Sequence, residues 1–209
     1  MPKKSTATCT LERESKRMFR LIPLNPPNLV TLLRILLIPL IVGIFYLPDA
    51  WLSFEGKNIA ATGVFIIAAI TDWLDGYLAR KLNQMSAFGA FFDPVADKLV
   101  VVGALIVLLY LNRVDMVVAL IIIGREIAIS ALREWMATVG QAKSVAVAFI
   151  GKLKTVLQMV AIPLLLFGDE LFGIIDCHAL GTVLIYIAAV LTVISMLYYL
   201  RRAMPVAHK

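Results

Sequence analysis

Long apolar runs dominate this 209-residue sequence and leave few folds open to it. One of them, LVVVGALIVLLYL at 99–111, contains no charged residue. A helix needs about 20 apolar residues to cross roughly 30 Å of hydrocarbon, and several runs here reach or approach that length. Hydrophobic residues make up 61% of the chain, whereas soluble domains are roughly 45–50% apolar. The sequence therefore predicts an all-α integral membrane protein.

Six transmembrane helices are predicted, and they form one domain over 23–209. The predicted spans are 29–48, 58–81, 87–111, 115–138, 146–167 and 179–202. Residues 1–22 are predicted to be a cytoplasmic tail and a basic amphipathic helix that lies on the membrane surface. The break PLNPPN at 23–28 separates the two parts, and Asn28 is expected to cap the first span.

Charge asymmetry orients these spans. Basic residues collect in the N-terminal segment, at Arg80-Lys81, between 133 and 154, and at Arg201-Arg202. The opposite loops are short and mostly neutral or acidic: 49–57, 112–115 and 168–178. Because Lys and Arg favour cytoplasmic loops, both termini are predicted to face the cytoplasm. The net charge of +6 then reflects topology, and no nucleic-acid partner is expected.

Four aspartates stand at the edges of two of these runs. Asp72 and Asp75 lie about 60° apart around a helix, and Asp93 and Asp97 about 40° apart. The short link KLNQMSAFG at 81–89 makes the two helices antiparallel neighbours. We therefore expect all four carboxylates to converge near the cytoplasmic surface.

Four carboxylates in or beside lipid need a ligand or an opposite charge that offsets the cost of burying them. A charged side chain costs roughly 2.5–3.5 kcal/mol at the centre of a bilayer, so four would cost on the order of 10 kcal/mol. Arg80 and Lys98 are cations close to these aspartates in sequence. Mg²⁺ or Mn²⁺ suits oxygen ligands, and two such ions that share carboxylates suit phosphoryl transfer. The alternative is that the aspartates are exposed loop charges or helix caps.

Small and polar residues beside the aspartates favour a ligand over simple helix packing. Gly76 and Ala79 leave room for a bulky group, and Arg80 offers a fork for phosphate oxygens. Ser86 can cap the third span or donate to phosphate, and Gly89 allows close helix approach.

The pattern Asp72-x2-Asp75-Gly76-x2-Ala79-Arg80-x8-Gly89-x3-Asp93-x3-Asp97 resembles the full signature of the CDP-alcohol phosphotransferases. The resemblance implies a six-helix membrane enzyme with a cytoplasm-facing site for two divalent metal ions. Such enzymes transfer a phosphoalcohol group from a CDP-linked donor to an alcohol and release CMP. The domain over 23–209 would then be catalytic.

The same resemblance implies roles for individual residues. Asp97 would be the general base for the acceptor hydroxyl and could also touch a metal. The metal ligands would be Asp72, Asp75 and Asp93, with Asp97. The implied donor-binding residues are Asn28, Thr31, Gly76, Ala79, Arg80, Ser86 and Gly89, with Arg34 as a further candidate.

Three further segments resemble the bacterial phosphatidylglycerophosphate synthase branch of this family. They are NPPNLVTLLRILLIP (25–39), GREIAISALREWMA (124–137) and GKLKTVLQM (151–159). The branch implies CDP-diacylglycerol as donor, sn-glycerol 3-phosphate as acceptor, a homodimer, and a place among the lipids of the bacterial inner membrane.

A phosphorylated acceptor requires an anion site on the cytoplasmic side. The expected acceptor-binding residues are Arg125, Arg133, Lys152, Lys154, Thr155 and Gln158. The same cations could instead serve only to orient the protein, and Glu126 could hold Arg125 in an intramembrane ion pair. The sixth span shows no evident chemistry and is expected to form a dimer interface or border the lipid.

Other functions remain open from the sequence. The same chemistry could use inositol phosphate, serine or phosphatidylglycerol as acceptor. A membrane prenyltransferase also uses aspartates for Mg²⁺ and diphosphate, although its aspartate spacing differs. A divalent-ion channel or carrier would need polar groups through the bilayer, whereas the outer halves of these spans are nearly all apolar.

Overall fold

The computed structural model describes residues 26–82, 87–139, 149–171 and 174–207, without the side chains of 26–30, 73–82, 87–93, 149–150, 152, 202–203 and 205–207. Within these ranges the chain is predominantly helical. The helices are α1 (Pro26–Ile44), α2 (Phe54–Leu82), α3 (Ala87–Tyr110), α4 (Met116–Thr138), α5 (Phe149–Phe167) and α6 (Cys177–Ala207). Each coincides with one predicted span to within about five residues, whereas the predicted surface helix over 1–22 lies outside the described residues.

Local sequence explains where two helices begin. Proline is favoured in the first turn because its missing N–H has no partner to lose there, and Pro26 and Pro27 open the described part of α1. Asn28 therefore lies inside α1, and the prediction that it caps the helix was wrong. The carboxylate of Asp115 caps α4 by accepting a hydrogen bond from the backbone N–H of Val117 at 2.8 Å.

A two-stranded antiparallel hairpin, absent from the predictions, joins α5 to α6. It pairs β1 (Glu170–Leu171) with β2 (Ile175–Asp176). Both strands are exposed, and the acidic Glu170 lies opposite Asp176. Each strand has only two residues, which is too short for the alternating pattern that identifies strands in a sequence.

The core runs along the centre of the helix bundle. Its buried members come from every described helix and include Ile41, Phe65, Leu105, Ile122, Ile162 and Ile185. Fully buried alanines such as Ala104, Ala119 and Ala161 lie among them. Small side chains allow the helix backbones to approach closely, which is how helices associate where the solvent is itself apolar.

The outer surface of the bundle is apolar. Leu36, Leu120, Ile127 and Val190 are each at least 60% exposed. Exposed apolar surface on this scale suits lipid rather than water. The segments Phe54–Asp72 and Cys177–Arg201 are long and apolar enough to cross a bilayer, whereas Thr31–Ile44 and Leu153–Phe167 are apolar but shorter. The count of six spans stays a prediction.

Arg113 ties the connection between α3 and α4 to the end of α5. Its guanidinium donates hydrogen bonds to the carbonyl oxygens of Leu165 and Leu166 at 3.0 and 2.6 Å. Burial lowers the pKa of Arg113, and the nearby Asp169 partly offsets that shift. Gly168, with φ of +71°, ends α5 directly beside this guanidinium. These contacts fix the end of the bundle that is opposite the polar residues described next.

Candidate active site

Polar side chains from all six described helices meet toward one end of the bundle. Each lies within about four turns of the helix end that is predicted to face the cytoplasm. They are Arg34 on α1, Asp72 on α2, Asp97 on α3, Arg125 on α4, Lys154 and Gln158 on α5, and Ser195 on α6. A functional site assembled from every helix is therefore concentrated at one depth.

Arg34 brings Asp72 and Asp97 together. Its Nη1 donates a hydrogen bond to Oδ1 of Asp97 and lies 3.1 Å from Oδ1 of Asp72. The Arg34 side chain is 1% exposed, while those of Asp72 and Asp97 are 42% and 40% exposed. Because one nitrogen contacts both carboxylates, the aspartates of α2 and α3 converge, as the short link between these helices indicated.

The convergence of all four aspartates stays a prediction. The side chains of Asp75 and Asp93 lie outside the described residues. Among the side chains that are described, no three His, Cys, Asp or Glu groups lie close enough to hold a metal. Asp72 and Asp97 thus supply the described half of the expected set.

Arg34 pairs with these carboxylates, and the sequence did not assign it that role. Sequence proximity suggested Arg80 and Lys98, of which the Arg80 side chain lies outside the described residues. Arg34 comes instead from a helix almost 40 residues away from Asp72 in sequence. A lone charge inside an otherwise apolar run was the available signal, because such a residue in a membrane span needs a partner.

A cavity of about 580 Å³ begins at these carboxylates. The wall contributed by α2 and α3 carries Asp72, Asp97 and Lys98 and is called the acidic end. The wall contributed by α4 and α5 is called the basic end and carries the predicted acceptor-binding residues Arg125, Arg133, Thr155 and Gln158, together with Glu126 and Glu134. The cavity therefore places the carboxylates of α2 and α3 and the arginines of α4 around one space.

Glu126 links two of the predicted acceptor-binding cations. Its Oε1 accepts from Nη1 of Arg125 at 3.3 Å and also contacts Nζ of Lys154. The ion pair left open as an alternative for Arg125 therefore forms. Lys154 lies on the wall of a second cavity, of about 350 Å³, which shares Arg125 and Arg133 with the first.

Two buried donors beside the cavity have no hydrogen-bond partner among the described residues. They are Nε of Arg125 and Nε2 of Gln158. A buried donor without a partner costs about 1–3 kcal/mol, so acceptors supplied by a ligand would recover that cost. Both residues lie at the basic end of the 580 Å³ cavity.

The sixth helix contributes polar contacts to this end, which the sequence did not indicate. Nη2 of Arg125 donates to Oγ of Ser195 at 3.3 Å, and Nη2 of Arg133 donates to Oη of Tyr199 at 3.4 Å. Thr192, Ser195 and Tyr199 are all buried. Their spacing of three and four residues places them on one helix face, and that spacing was the signal in the sequence.

Of the donor-side candidates, the structure describes the side chains of Thr31 and Arg34. Thr31 is 2% exposed and lies one turn before Arg34 on α1, so the two share a face. The remaining predicted site residues have side chains outside the described set: Asn28, Gly76, Ala79, Arg80, Ser86, Gly89 and Lys152.

An apolar groove of about 320 Å³ lies next to the polar cavity, between α2 and α5. It is lined by Phe65, Ile66, Ala69, Ile70, Met159 and Pro163. Met159 also lines the 580 Å³ cavity. Polar and apolar spaces thus border on the same side chain.

Comparison with known proteins agrees with this arrangement. Residues 24–194 match the family model described as CDP-alcohol phosphatidyltransferase. The chain is 48% identical over 181 residues to the CDP-diacylglycerol–glycerol-3-phosphate 3-phosphatidyltransferase of Shigella flexneri serotype 5b (strain 8401), covering 86% of this chain and 94% of that protein. The protein of the same name from Escherichia coli (strain K12) gives the same identity and coverage.

The family match spans both Asp72 and Asp97, and it also reaches the arginines at the basic end of the cavity. It confirms the family that the eight-position signature indicated. This chain belongs to the CDP-alcohol phosphatidyltransferase family.

Proposed function

We propose that this chain transfers the phosphatidyl group from CDP-diacylglycerol to sn-glycerol 3-phosphate, giving phosphatidylglycerophosphate and CMP. The observation that carries the proposal is one cavity that the aspartates of α2 and α3 and the arginines of α4 line together. The names of relatives that match this chain over most of its length support the same reaction.

The acidic end fits divalent cations. Asp72 and Asp97 meet on a single nitrogen of Arg34, so their oxygens are close enough to share a cation. Carboxylate oxygens suit Mg²⁺ or Mn²⁺, and Asp75 and Asp93 would complete the ligand set. Two such ions, when bound, would neutralise the diphosphate of the donor and stabilise the CMP leaving group.

Asp97 is the proposed general base. Its contact with Arg34 holds the carboxylate at the mouth of the cavity, where it remains 40% exposed. Asp97 would accept the proton of the acceptor hydroxyl as that oxygen bonds to the phosphorus of the phosphatidyl group. The bond from phosphorus to the CMP oxygen breaks in the same transfer, so CMP carries away the electron pair.

The basic end suits the phosphate of the acceptor. Arg125 and Arg133 supply charge, and the unpartnered donors of Arg125 and Gln158 supply hydrogen bonds. Thr155 lies on the walls of both cavities. Lys154 and Lys152 would add charge from the side of the second cavity. Binding there would leave the acceptor hydroxyl free to point toward Asp97.

The donor-side residues and the membrane setting belong to the same proposal. The apolar groove beside Met159 suits the acyl chains of the donor. We place the enzyme in the bacterial inner membrane as a homodimer, with both termini and the cavity facing the cytoplasm. The donor headgroup would contact Asn28, Thr31, Gly76, Ala79, Arg80, Ser86 and Gly89.

A panel of acceptors tests the reaction directly. Purified protein is incubated with CDP-diacylglycerol, Mg²⁺ and one of glycerol 3-phosphate, serine, inositol phosphate or phosphatidylglycerol, and CMP is measured. We expect release with glycerol 3-phosphate. Preference for another acceptor would overturn the assignment, free diphosphate as the product would indicate a prenyltransferase, and metal flux without turnover would indicate a carrier.

The acceptor site is tested by Arg125→Ala. Removing a charge-assisted hydrogen bond of about 1.5–3 kcal/mol should raise the KM for glycerol 3-phosphate roughly 10- to 150-fold. The KM for CDP-diacylglycerol should stay within about twofold, because Arg125 lies on α4, whereas the proposed donor-side aspartates Asp72 and Asp97 lie on α2 and α3.

The matched control is Arg201→Ala, which removes an exposed arginine from the same predicted side of the membrane. It should leave both KM values unchanged. Equal effects of the two variants would mean that Arg125 contributes only to topology, as the sequence left open.

A further inference from the structure

We propose that Ser195 and Tyr199 of α6 are positioning residues that set the orientation of Arg125 and Arg133 for the acceptor phosphate. The inference rests on the proposed function, because it deepens the acceptor site. It assigns a role in specificity to a helix in which the sequence indicated none.

Tyr199 reaches both arginines. The guanidinium carbon of Arg125 lies 5.8 Å from the centroid of the Tyr199 ring, and that of Arg133 lies 5.3 Å from it. The ring is fully buried and packs with Ile129 and Met136. Arg125, Ile129 and Arg133 follow one another at four-residue intervals on α4, so they share a helix face. The ring therefore lies against this face within reach of both cations.

An aromatic ring suits this position better than a carboxylate does. Two guanidinium groups on one helix face repel each other, and the burial of Arg125 reduces the screening by water on its side, whereas Arg133 is exposed. The face of an aromatic ring attracts a cation without carrying a net charge. Tyr199 can therefore hold both arginines in place without adding a second carboxylate to Glu126, which already pairs with Arg125.

Ser195 fixes the direction of the Arg125 side chain. The Ser195 hydroxyl donates its hydrogen to the carbonyl oxygen of Thr192 at 2.9 Å. Its oxygen lone pairs are thereby left to accept from Nη2 of Arg125 at 3.3 Å. Glu126 accepts from Nη1 of the same guanidinium. Both terminal nitrogens are thus anchored, and Nε is the Arg125 nitrogen that lacks a hydrogen-bond partner among the described residues.

Anchored arginines bind an anion more tightly than mobile ones. Ordering a long side chain during binding costs about 0.5–1.5 kcal/mol, and the contacts from α6 remove that cost in advance. Loss of those contacts should weaken acceptor binding and leave the donor end intact. A purely structural role for α6 would instead affect both substrates together.

The test compares Tyr199→Leu with Tyr199→Phe in the full-length enzyme. Tyr199→Leu removes the ring and should raise the KM for glycerol 3-phosphate about tenfold, with the KM for CDP-diacylglycerol within about twofold. Tyr199→Phe keeps the ring face, so the KM for glycerol 3-phosphate should stay within about threefold of the parent value. Equal losses in both variants would overturn the role of the ring.

Tyr186→Leu is the matched control, because it makes the same change on α6 at a half-exposed position on the outer part of the helix. It should alter neither KM. If Tyr199→Leu does not fold, Ser195→Ala decides the question, since it deletes one hydroxyl and, at about 1 kcal/mol for the lost hydrogen bond, should raise the KM for glycerol 3-phosphate about fivefold. An unchanged KM in Ser195→Ala would overturn the proposal.

The activity of the parent enzyme distinguishes a failure of the proposed reaction from a failure of the positioning role. Absence of CMP release from the parent with glycerol 3-phosphate would refute the proposed function itself. Turnover by the parent, with both KM values unchanged or raised equally in folded Tyr199→Leu, would refute only the positioning role.

Discussion

At the scale of single residues, Asp97 is both the proposed general base and a partner of Arg34 in an ion pair. It contacts Arg34 and also lines the cavity that reaches the basic residues. Asp97→Asn keeps the shape of the side chain and removes its ability to take a proton. We expect the kcat for CMP release to fall about 10²- to 10⁴-fold, with nucleotide binding still detectable.

Asp115→Asn provides the control for Asp97→Asn. It makes the same chemical change at the cap of α4, and asparagine caps helices about as well as aspartate does. This control should retain the activity and the thermal stability of the parent. Full activity in Asp97→Asn would exclude Asp97 as the base.

Arg34 separates two carboxylates that would otherwise repel each other. Removing one partner of a fully buried ion pair costs about 3–5 kcal/mol, and the exposure of Asp72 and Asp97 reduces that figure. Arg34→Ala should therefore lower the free energy of unfolding by roughly 1–3 kcal/mol in EDTA. Mg²⁺ should restore more stability to the variant than to the parent, because bare carboxylates gain more from a cation.

Thermal unfolding in detergent, with EDTA or with Mg²⁺, measures both effects. Lys57→Ala is the control, since Lys57 is a buried cation that pairs with Asp49 at 2.6 Å near the other end of α2. It should destabilise the protein by the same amount with and without Mg²⁺. An identical response to Mg²⁺ in the parent and in Arg34→Ala would contradict the expected role of Arg34.

At the scale of secondary-structure elements, the end of α5 depends on Gly168. A left-handed conformation costs a residue with a side chain about 1–2 kcal/mol, and a Cβ at Gly168 would lie 2.4 Å from the guanidinium carbon of Arg113. Gly168→Ala should therefore lower the unfolding temperature. Both KM values should stay at parental levels, since the change lies at the opposite end of the bundle from the cavity.

Gly63→Ala is the comparison for this prediction. A Cβ at Gly63 meets nothing within 4 Å, and the residue lies within α2. Replacing it should be neutral or should stabilise the protein by about 0.5–1 kcal/mol. Equal unfolding temperatures for Gly168→Ala and the parent would show that Arg113 moves aside without loss.

Hydrophobic pattern located the helices, because each described helix contains one of the long apolar runs. The short link at 81–89 also predicted that Asp72 and Asp97 converge, since neighbouring helices joined by a few residues must be antiparallel. The ends of the helices were harder to predict from the sequence. Asn28 looked like a cap because the proline before it reads as a break, yet proline is also favoured at the start of a helix.

Contacts between helices that are distant in sequence could not be predicted. The pairing of Arg34 with Asp97 depends on how α1 packs against α3, and nothing local to either residue specifies that packing. The contacts of Arg125 with Ser195 and of Lys154 with Glu126 have the same origin. Sequence patterns revealed which residues were too polar for their surroundings, and only the fold revealed their partners.

At the scale of the whole molecule, the site requires a single orientation in the membrane. Glu170 and Arg201 are both exposed and lie toward opposite ends of the bundle. In a background with Cys9→Ser and Cys177→Ala, we expect Glu170→Cys to react with a membrane-impermeant maleimide in intact cells whose outer membrane is permeabilised. Arg201→Cys should react only after the inner membrane is opened.

The background variant must first show parental CMP release, which confirms that its fold is intact. Reaction of Arg201→Cys in cells with a sealed inner membrane, or protection of Glu170→Cys there, would contradict the predicted orientation. Either result would also separate the cavity from the cytoplasmic pool of a water-soluble acceptor.

Met159 borders both the charged cavity and the apolar groove. This position has a consequence for how the two substrates reach the site. A lipid donor and a water-soluble acceptor could meet there while the donor stays in the membrane and the acceptor stays in contact with water. The donor would drift laterally within its leaflet and insert only its headgroup, while the acceptor diffuses in from the aqueous side. Supply of the lipid would then depend on two-dimensional diffusion and would need no soluble carrier.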